Sequence, residues 1–313
     1  MLTFLIRRVA AGLVLLYVLA TAAFAMMSLT GTDAVRNISG NTATPAQVAA
    51  KTHELGLDRP WISQYGSWLG HALRGDFGVS WFSGDPVAAS LALKVPVTLS
   101  VVVAGLILAT VLSIVLGVAA AVRRGWLDRV VQVLAILGYA VPSFLAALAL
   151  SVIVAVKLRW LPATGYVPFA VSPSGWFQSI TLPAVSLSIG VIAATAQQVR
   201  GSVIDVLRQD FVRTLRSRGI SERRVLFRHV LRNAAPPALT VLSLQFIGLV
   251  GGAVITEKVF GLPGVGSAAV TASTNGDTPL VMAVVVYLVF IVVAVNLLVD
   301  VAYGWLNPKV RVR

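Results

Sequence analysis

The stretch Arg200–Pro237 reads RGSVIDVLRQDFVRTLRSRGISERRVLFRHVLRNAAPP, and the fold is decided by how it is read. Nine of the 25 basic residues of the chain fall in it: Arg200, Arg208, Arg213, Arg216, Arg218, Arg223, Arg224, Arg228 and Arg232. Long uncharged runs flank it on both sides. A charged island between apolar runs of membrane length is a water-facing link between two spans, and its basic excess places it on the cytoplasmic side. Within the island the pattern predicts helix, break, helix. Gly219 ends the first helix, because glycine takes left-handed backbone angles without steric cost. Ser221 caps the second helix, Glu222 suits its positive end, and Pro236 and Pro237 stop it. Arg224, Arg228 and Arg232 fall four apart on one face. Beside them Leu226, Phe227, Val230 and Leu231 form an apolar stripe, with Arg223 inside its arc. Such a helix suits a partner's groove, and its composition equally suits a solvated basic loop or a helix lying on anionic lipid.

The surrounding composition settles the class. The 313 residues are 57% hydrophobic and 12% charged, where a soluble domain carries about 25% charged residues. Mean hydropathy is +0.87. This is an all-α integral membrane protein. With no cysteine, disulfides, thiolate metal sites and cysteine nucleophiles are excluded. His53, His71 and His229 show no metal-ligand spacing. The net charge of +13 would suit nucleic acid, but its distribution assigns it to the inner membrane surface and partners there.

Six runs have membrane length: Val9–Leu29, Val95–Val122, Val130–Val156, Pro183–Val199 with an uncharged lead reaching back to Trp160, Asn233–Thr256 and Thr278–Val299. With the N-terminus inside, seventeen basic residues lie in inner segments, including Arg7, Arg8, Arg123, Arg124, Arg129, Lys309, Arg311 and Arg313. Eight lie in outer segments, five of them in the long 30–94 stretch that charge rules discount. Both termini are therefore expected in the cytoplasm. The organisation reads as a first span (1–30), an outer segment (31–94), a five-helix core (95–303) carrying the cytoplasmic segment 200–236, and a short tail (304–313). Arg7-Arg8 and the run ending at Ala23-Phe24-Ala25 have the layout of a secretory signal, but the run is long for one and reads as a span.

The outer segment holds Thr44-Pro45-Ala46-Gln47, a helix start, and the aromatic run Trp61, Tyr65, Trp68. Aromatic richness and sparse charge argue for a small cap of short helices at the membrane interface rather than disorder. Pro142 interrupts the third span. Gly248, Gly251 and Gly252 cluster in the fifth, where small residues let helices approach, and Gly248 and Gly252 are also pathway candidates. Gln197 and Gln198 end the fourth span and Gln245 sits within the fifth, so each faces a polar cavity or a neighbouring helix. Asn296 and Asp300 lie one turn apart at the inner end of the sixth span. No phosphate-cradling G-x-x-x-x-G-K-[ST] loop occurs, so this chain is not expected to hydrolyse ATP, and no catalytic constellation rises above chance.

Several motifs resemble one family. Asp210-Phe211-Val212-Arg213-Thr214-Leu215-Arg216-Ser217-Arg218-Gly219, followed by Arg224 and Arg228-His229-Val230-Leu231-Arg232-Asn233, is similar to the cytoplasmic loop of the permease subunits of ABC importers, in its dipeptide, oligopeptide and nickel form. Leu215 stands where alanine is common. Further matches are Glu257-x-Val-Phe-x-x-Pro263-Gly264-x-Gly266, Leu55-Gly56-Leu57-Asp58-x-Pro60, Arg74-Gly75-Asp76-Phe77-Gly78, and Asn296-Leu297-Leu298-Val299-Asp300 with Asn307-Pro308, where the family usually has Asp-Pro. The resemblance spans essentially the whole chain. It implies a second homologous permease, two ATPase subunits that handle ATP and magnesium, and an extracytoplasmic substrate-binding protein delivering di- or oligopeptides. It also implies that Asp210, Arg213, Thr214, Gly219, Arg224, Leu226, Phe227, Arg228, His229, Leu231 and Arg232 contact the ATPases. Nickel, glutathione or haem are alternative cargoes. A secondary transporter or channel would need mid-membrane charge, which the six runs lack. A membrane scaffold without transport is the third class.

Overall fold

The computed structural model describes residues 2–29, 31–40, 42–123 and 125–306. Among these the chain is helical, with one isolated antiparallel bridge between Val79 and Pro86. Helix α1 (Leu2–Leu29) is followed by three short helices, α2 (Gly31–Ser39), α3 (Pro45–Glu54) and α4 (Trp61–Ala72). Then come α5 (Val87–Val122), α6 (Trp126–Ala140), α7 (Ser143–Leu150) with a π-turn at Ser151–Lys157, and α8 (Pro173–Leu207). Next are α9 (Asp210–Ser217) and α10 (Glu222–Arg224), which runs through a π-turn at Val225–Val230 into α11 (Leu231–Val259). The last two are α12 (Val265–Asn275) and α13 (Thr278–Leu306). Arg124, Asn307, Pro308, Lys309, Arg311 and Arg313 lie outside the described residues, as does the side chain of Asp300.

Among the described residues, five helical stretches are long and apolar enough to cross a membrane: Ile6–Leu29, Val87–Val122, Pro173–Leu207, Glu222–Val259 and Thr278–Val299. The expected third span departs from a straight rod. Trp126–Ala140 and Ser143–Lys157 meet at a bend of 97°, so the spans number five, or six if the bent pair counts as one. Pro142 lacks an N–H, and the residue before a proline is pushed out of helical angles; Val141 duly sits at φ −82°, ψ 115°. The fourth span also starts earlier than its apolar core suggested. Ser172 caps α8 by accepting from the Gly175 N–H at 3.1 Å, Pro173 takes the first turn, and Pro183 lies inside the helix.

The chain divides into two compact units. One comprises Leu99–Leu262 and residues 294–306, and is organised around α8, which packs against α6, α7 and α11. Small residues set the approach. A Cβ added at Gly117 of α5 would lie 2.7 Å from the Ala196 carbonyl oxygen and 2.8 Å from the Val199 side chain, so only glycine fits. Two buried hydroxyls on α8 are satisfied within the helix, Ser186 donating to the Pro183 carbonyl at 2.8 Å and Ser188 to that of Val185 at 2.9 Å, whereas the buried Thr195 hydroxyl has no hydrogen-bond partner among the described residues.

The other unit comprises Leu2–Thr98 and Pro263–Val293. Short helices α2, α3 and α4 form where the sequence predicts helical rather than disordered chain. Thr44 and Gln47 form a reciprocal capping box at the start of α3, with the Thr44 N–H donating to Gln47 at 2.9 Å and the Gln47 N–H to Thr44 at 3.3 Å. Phe24 of α1 packs edge-on against Trp61 and Tyr65 of α4, and the Tyr65 hydroxyl lies 2.6 Å from that of Thr21. Buried Asp277 accepts hydrogen bonds from the Ser80 hydroxyl and, at 3.1 Å, from the Trp81 N–H, pinning the loop before α5 to the start of α13.

Candidate functional site

The basic island folds into an elbow against the end of α8. Its apolar residues turn inward. Val212, Val225 and Val230 are fully buried in a cluster with Val199, Val203 and Val206 of α8, Ala121 of α5, and Ala234 and Ala238 of α11. Phe211, Leu215, Ile220, Leu226 and Leu231 pack half-buried around that cluster. Burying several aliphatic side chains at about 1.5–3 kcal/mol each makes the elbow a docked element rather than a floating loop.

Gly219 forms the break as expected, at φ +73°, where a Cβ would be strained. Its N–H donates to the Arg216 carbonyl at 2.9 Å. The two sides of the break are tied by a bidentate pair, Arg216 to Glu222, at 2.7 and 3.0 Å. Ser221 occupies the N-cap position of α10, but its side chain makes no capping hydrogen bond.

Two expectations about the second helix are corrected. Pro236 and Pro237 do not end it; they lie inside a continuous helical stretch, Glu222–Val259, of 38 residues. Each proline costs a helix interior about 3 kcal/mol, yet Ala234 and Ala238 on either side are clamped in the core, and this packing carries the helix through. The Asn233 side chain also donates to the His229 carbonyl at 2.8 Å, just ahead of the prolines. The second correction concerns the apolar stripe. Val230 is buried and Leu226 and Leu231 are half-buried against the protein's own core, so Phe227, 64% exposed, is the stripe's one outward-facing member. Periodicity identified an apolar face, and the neighbouring α8 claimed most of it.

What remains outward is polar. Asp210, Arg213, Thr214, Gly219, Arg224, Arg228 and Arg232 are exposed, and His229 is half-buried. The structure thus gathers these residues on one elbow. Of the pathway candidates, Gln197 and Gln245 are half-buried and Gly248 is exposed. At Gly252 an added Cβ would sit 3.1 Å from the Leu187 side chain of α8.

An interaction that the sequence reading missed anchors the elbow's origin. Arg200 makes a bidentate ion pair with Asp128 in the first turn of α6, through Nε to Oδ1 and through Nη2 to Oδ2 at 2.7 Å. Both side chains are largely covered, Arg200 at 23% exposure and Asp128 at 16%. The available signal was Asp128 itself, the single acid among Arg123, Arg124 and Arg129.

Comparison with known proteins agrees with this architecture. Residues 113–312 match the family model described as binding-protein-dependent transport system inner membrane component, and residues 1–102 match that of its N-terminal region. The chain is 39% identical over 308 residues, 98% of each chain, to a putative peptide transport system permease protein of Brucella abortus. It is 37% identical over 309 residues to a probable peptide ABC transporter permease protein of Sinorhizobium fredii, covering 98% of this chain and 99% of that one. It is 36% identical over 312 residues, 99% of each, to a glutathione transport system permease protein of Salmonella choleraesuis. A cysteine-free helical chain with a docked basic elbow between membrane-length helices, matched from end to end, belongs to the binding-protein-dependent transport system inner membrane components.

Proposed function

We propose that this chain is one of two permease subunits of an ATP-driven importer of di- and oligopeptides. It has six spans, counting the bent α6–α7 pair as one, with both termini in the cytoplasm. Two ATPase subunits, which bind ATP and magnesium, grip the elbow of each permease, and a substrate-binding protein delivers peptide at the opposite face. This chain contributes no catalytic residue and no cofactor of its own.

The observation that carries the reading is the elbow. Its inner side is bonded to the membrane core by buried valines, while its outer side presents Phe227 amid arginines. An aromatic anchor in a charged rim suits a partner pocket, with the arginines setting register and encounter rate. The 38-residue continuous helix gives the movement a path. At 1.5 Å per residue it is about 57 Å long, so a displacement at Glu222 reaches Val259 without an intervening loop. Closure of the ATPases on ATP would move the elbows together and open the path to the outside, and hydrolysis would reset it. Glutathione, itself a small peptide, is a second cargo favoured by the similarity to the glutathione permease.

The test uses the assembled transporter in proteoliposomes. Phe227→Asp should leave the chain folded and inserted, because the side chain is exposed, yet uncouple ATP hydrolysis from peptide uptake. Normal uptake by this variant would rule out the elbow as the transmission element. The cysteine-free chain also allows topology to be read directly. A cysteine at Ser217 should label only from the cytoplasmic side and one at Ala50 of α3 only from the other, and the reverse would overturn the orientation.

A further inference from the structure

We propose that the cavity beside the Leu29 end of α1 holds the headgroup of an anionic phospholipid, with Arg59 taking the phosphate and the Trp68 indole N–H donating to an ester oxygen. The cavity lies wholly within the unit that contains α1 to α4. Its volume is about 470 Å³, inside the range of roughly 300–1,000 Å³ usual for small-ligand sites. Phe24, Trp61 and Trp68 wall one side, with Phe24 5.9 Å from Trp61 and 5.8 Å from Trp68 between ring centres.

Three features define the occupant. Arg59 is the one charged side chain among the described lining residues, and no carboxylate is found among them. The nearby acid, Asp58, faces His53 at 3.7 Å instead. Arg59 is held at its backbone, because the Gln64 amide donates to its carbonyl at 2.8 Å. The Trp68 Nε1 is buried and has no hydrogen-bond partner among the described residues, a cost that an acceptor on a ligand would remove. Finally, Met27 and Ser28 of α1 line the cavity, while Met26 and Leu29 beside them are 70% and 86% exposed. The occupant therefore carries an anion and a hydrogen-bond acceptor at one end and apolar chains at the other. A phospholipid meets all three requirements: phosphate to Arg59, ester oxygen to Trp68, acyl chains along α1. Tryptophan, with an apolar ring and a single N–H donor, is suited to this interfacial depth. A free anion shares only the first two features. The inference rests on the membrane location of the chain and not on its cargo or on the direction of transport.

The experiment is native mass spectrometry of the full-length chain in mild detergent, titrated separately with phosphatidylglycerol, phosphatidylcholine and inorganic phosphate. One tightly retained phosphatidylglycerol per chain is expected. Affinity should fall about tenfold in Arg59→Ala and several-fold in Trp68→Phe, which keeps an aromatic side chain but removes the donor. It should be unchanged in Arg74→Ala, an exposed arginine away from the cavity. Phosphatidylcholine should bind more weakly, and millimolar phosphate should not compete. Equal lipid retention by wild type and Arg59→Ala would overturn the proposal, and Arg59 is exposed enough for that variant to fold. Competition by inorganic phosphate would overturn it too, by showing a plain anion site.

Discussion

Replacing Asp128 with alanine should lower the melting temperature of the purified chain by about 4 °C. The magnitude follows from where the pair sits. A fully exposed ion pair is worth about 0–1 kcal/mol, and breaking a fully buried one costs about 3–5 kcal/mol. Asp128 and Arg200 are 16% and 23% exposed and bidentate, which places the loss near 2 kcal/mol, consistent with charge-assisted bonds of about 1.5–3 kcal/mol. For chains of 150–250 residues each kcal/mol moves the midpoint roughly 2–4 °C, and a 313-residue chain falls at the lower end. The assay is tryptophan-fluorescence melting of the full chain in one detergent. Asp210→Ala is the internal control, since its pair with Arg213 is an exposed i,i+3 contact at 3.4 Å and should not move the midpoint. The doubly reversed variant, Asp128→Arg with Arg200→Asp, should recover part of the loss. Equal shifts for Asp128→Ala and Asp210→Ala would refute the reasoning, because burial would then not be what gives the first pair its weight.

Gly117→Leu should reduce the folded yield and cost about 1–3 kcal/mol or more by overpacking, because the Ala196 carbonyl cannot retreat without moving α8; unchanged thermal stability would contradict the close approach. Asp277→Ala should free the loop at Ser80 and Trp81 by stranding the buried Ser80 hydroxyl, at about 1–3 kcal/mol, and releasing the half-buried Trp81 N–H, and limited proteolysis should cut the 73–86 segment sooner than in Asp277→Asn. Gly219→Pro demands φ near −65° where the chain has +73° and deletes the bond to the Arg216 carbonyl. The variant should insert normally but separate ATP hydrolysis from uptake, and wild-type uptake would show that the break does not matter for coupling.

The long apolar segments, the basic island, the helix start at Thr44 and the left-handed break at Gly219 were all legible in the sequence. Each depends on a run of neighbouring residues: about 20 apolar residues satisfy a bilayer, a hydroxyl three residues from a glutamine caps a helix, and glycine alone tolerates a positive φ cheaply. The direction of the stripe formed by Leu226, Phe227, Val230 and Leu231 was not legible. Helical spacing marks a face as apolar, but Val199, Val203 and Val206, brought alongside by the turn after α8, determined that it would be buried from within. Of the prolines, Pro142 interrupts the third span as its sequence indicates, with a 97° bend, while Pro236 and Pro237 do not stop their helix, because only the latter pair is bracketed by core alanines. The match of Asp128 to Arg200, 72 residues apart, likewise depended on which helices became neighbours. Local chemistry therefore determined which segments are helical and which of them suit a membrane. Tertiary packing determined which face each helix keeps for itself and which it leaves for a partner, since burial depends on the atoms opposite and those come from distant parts of the chain.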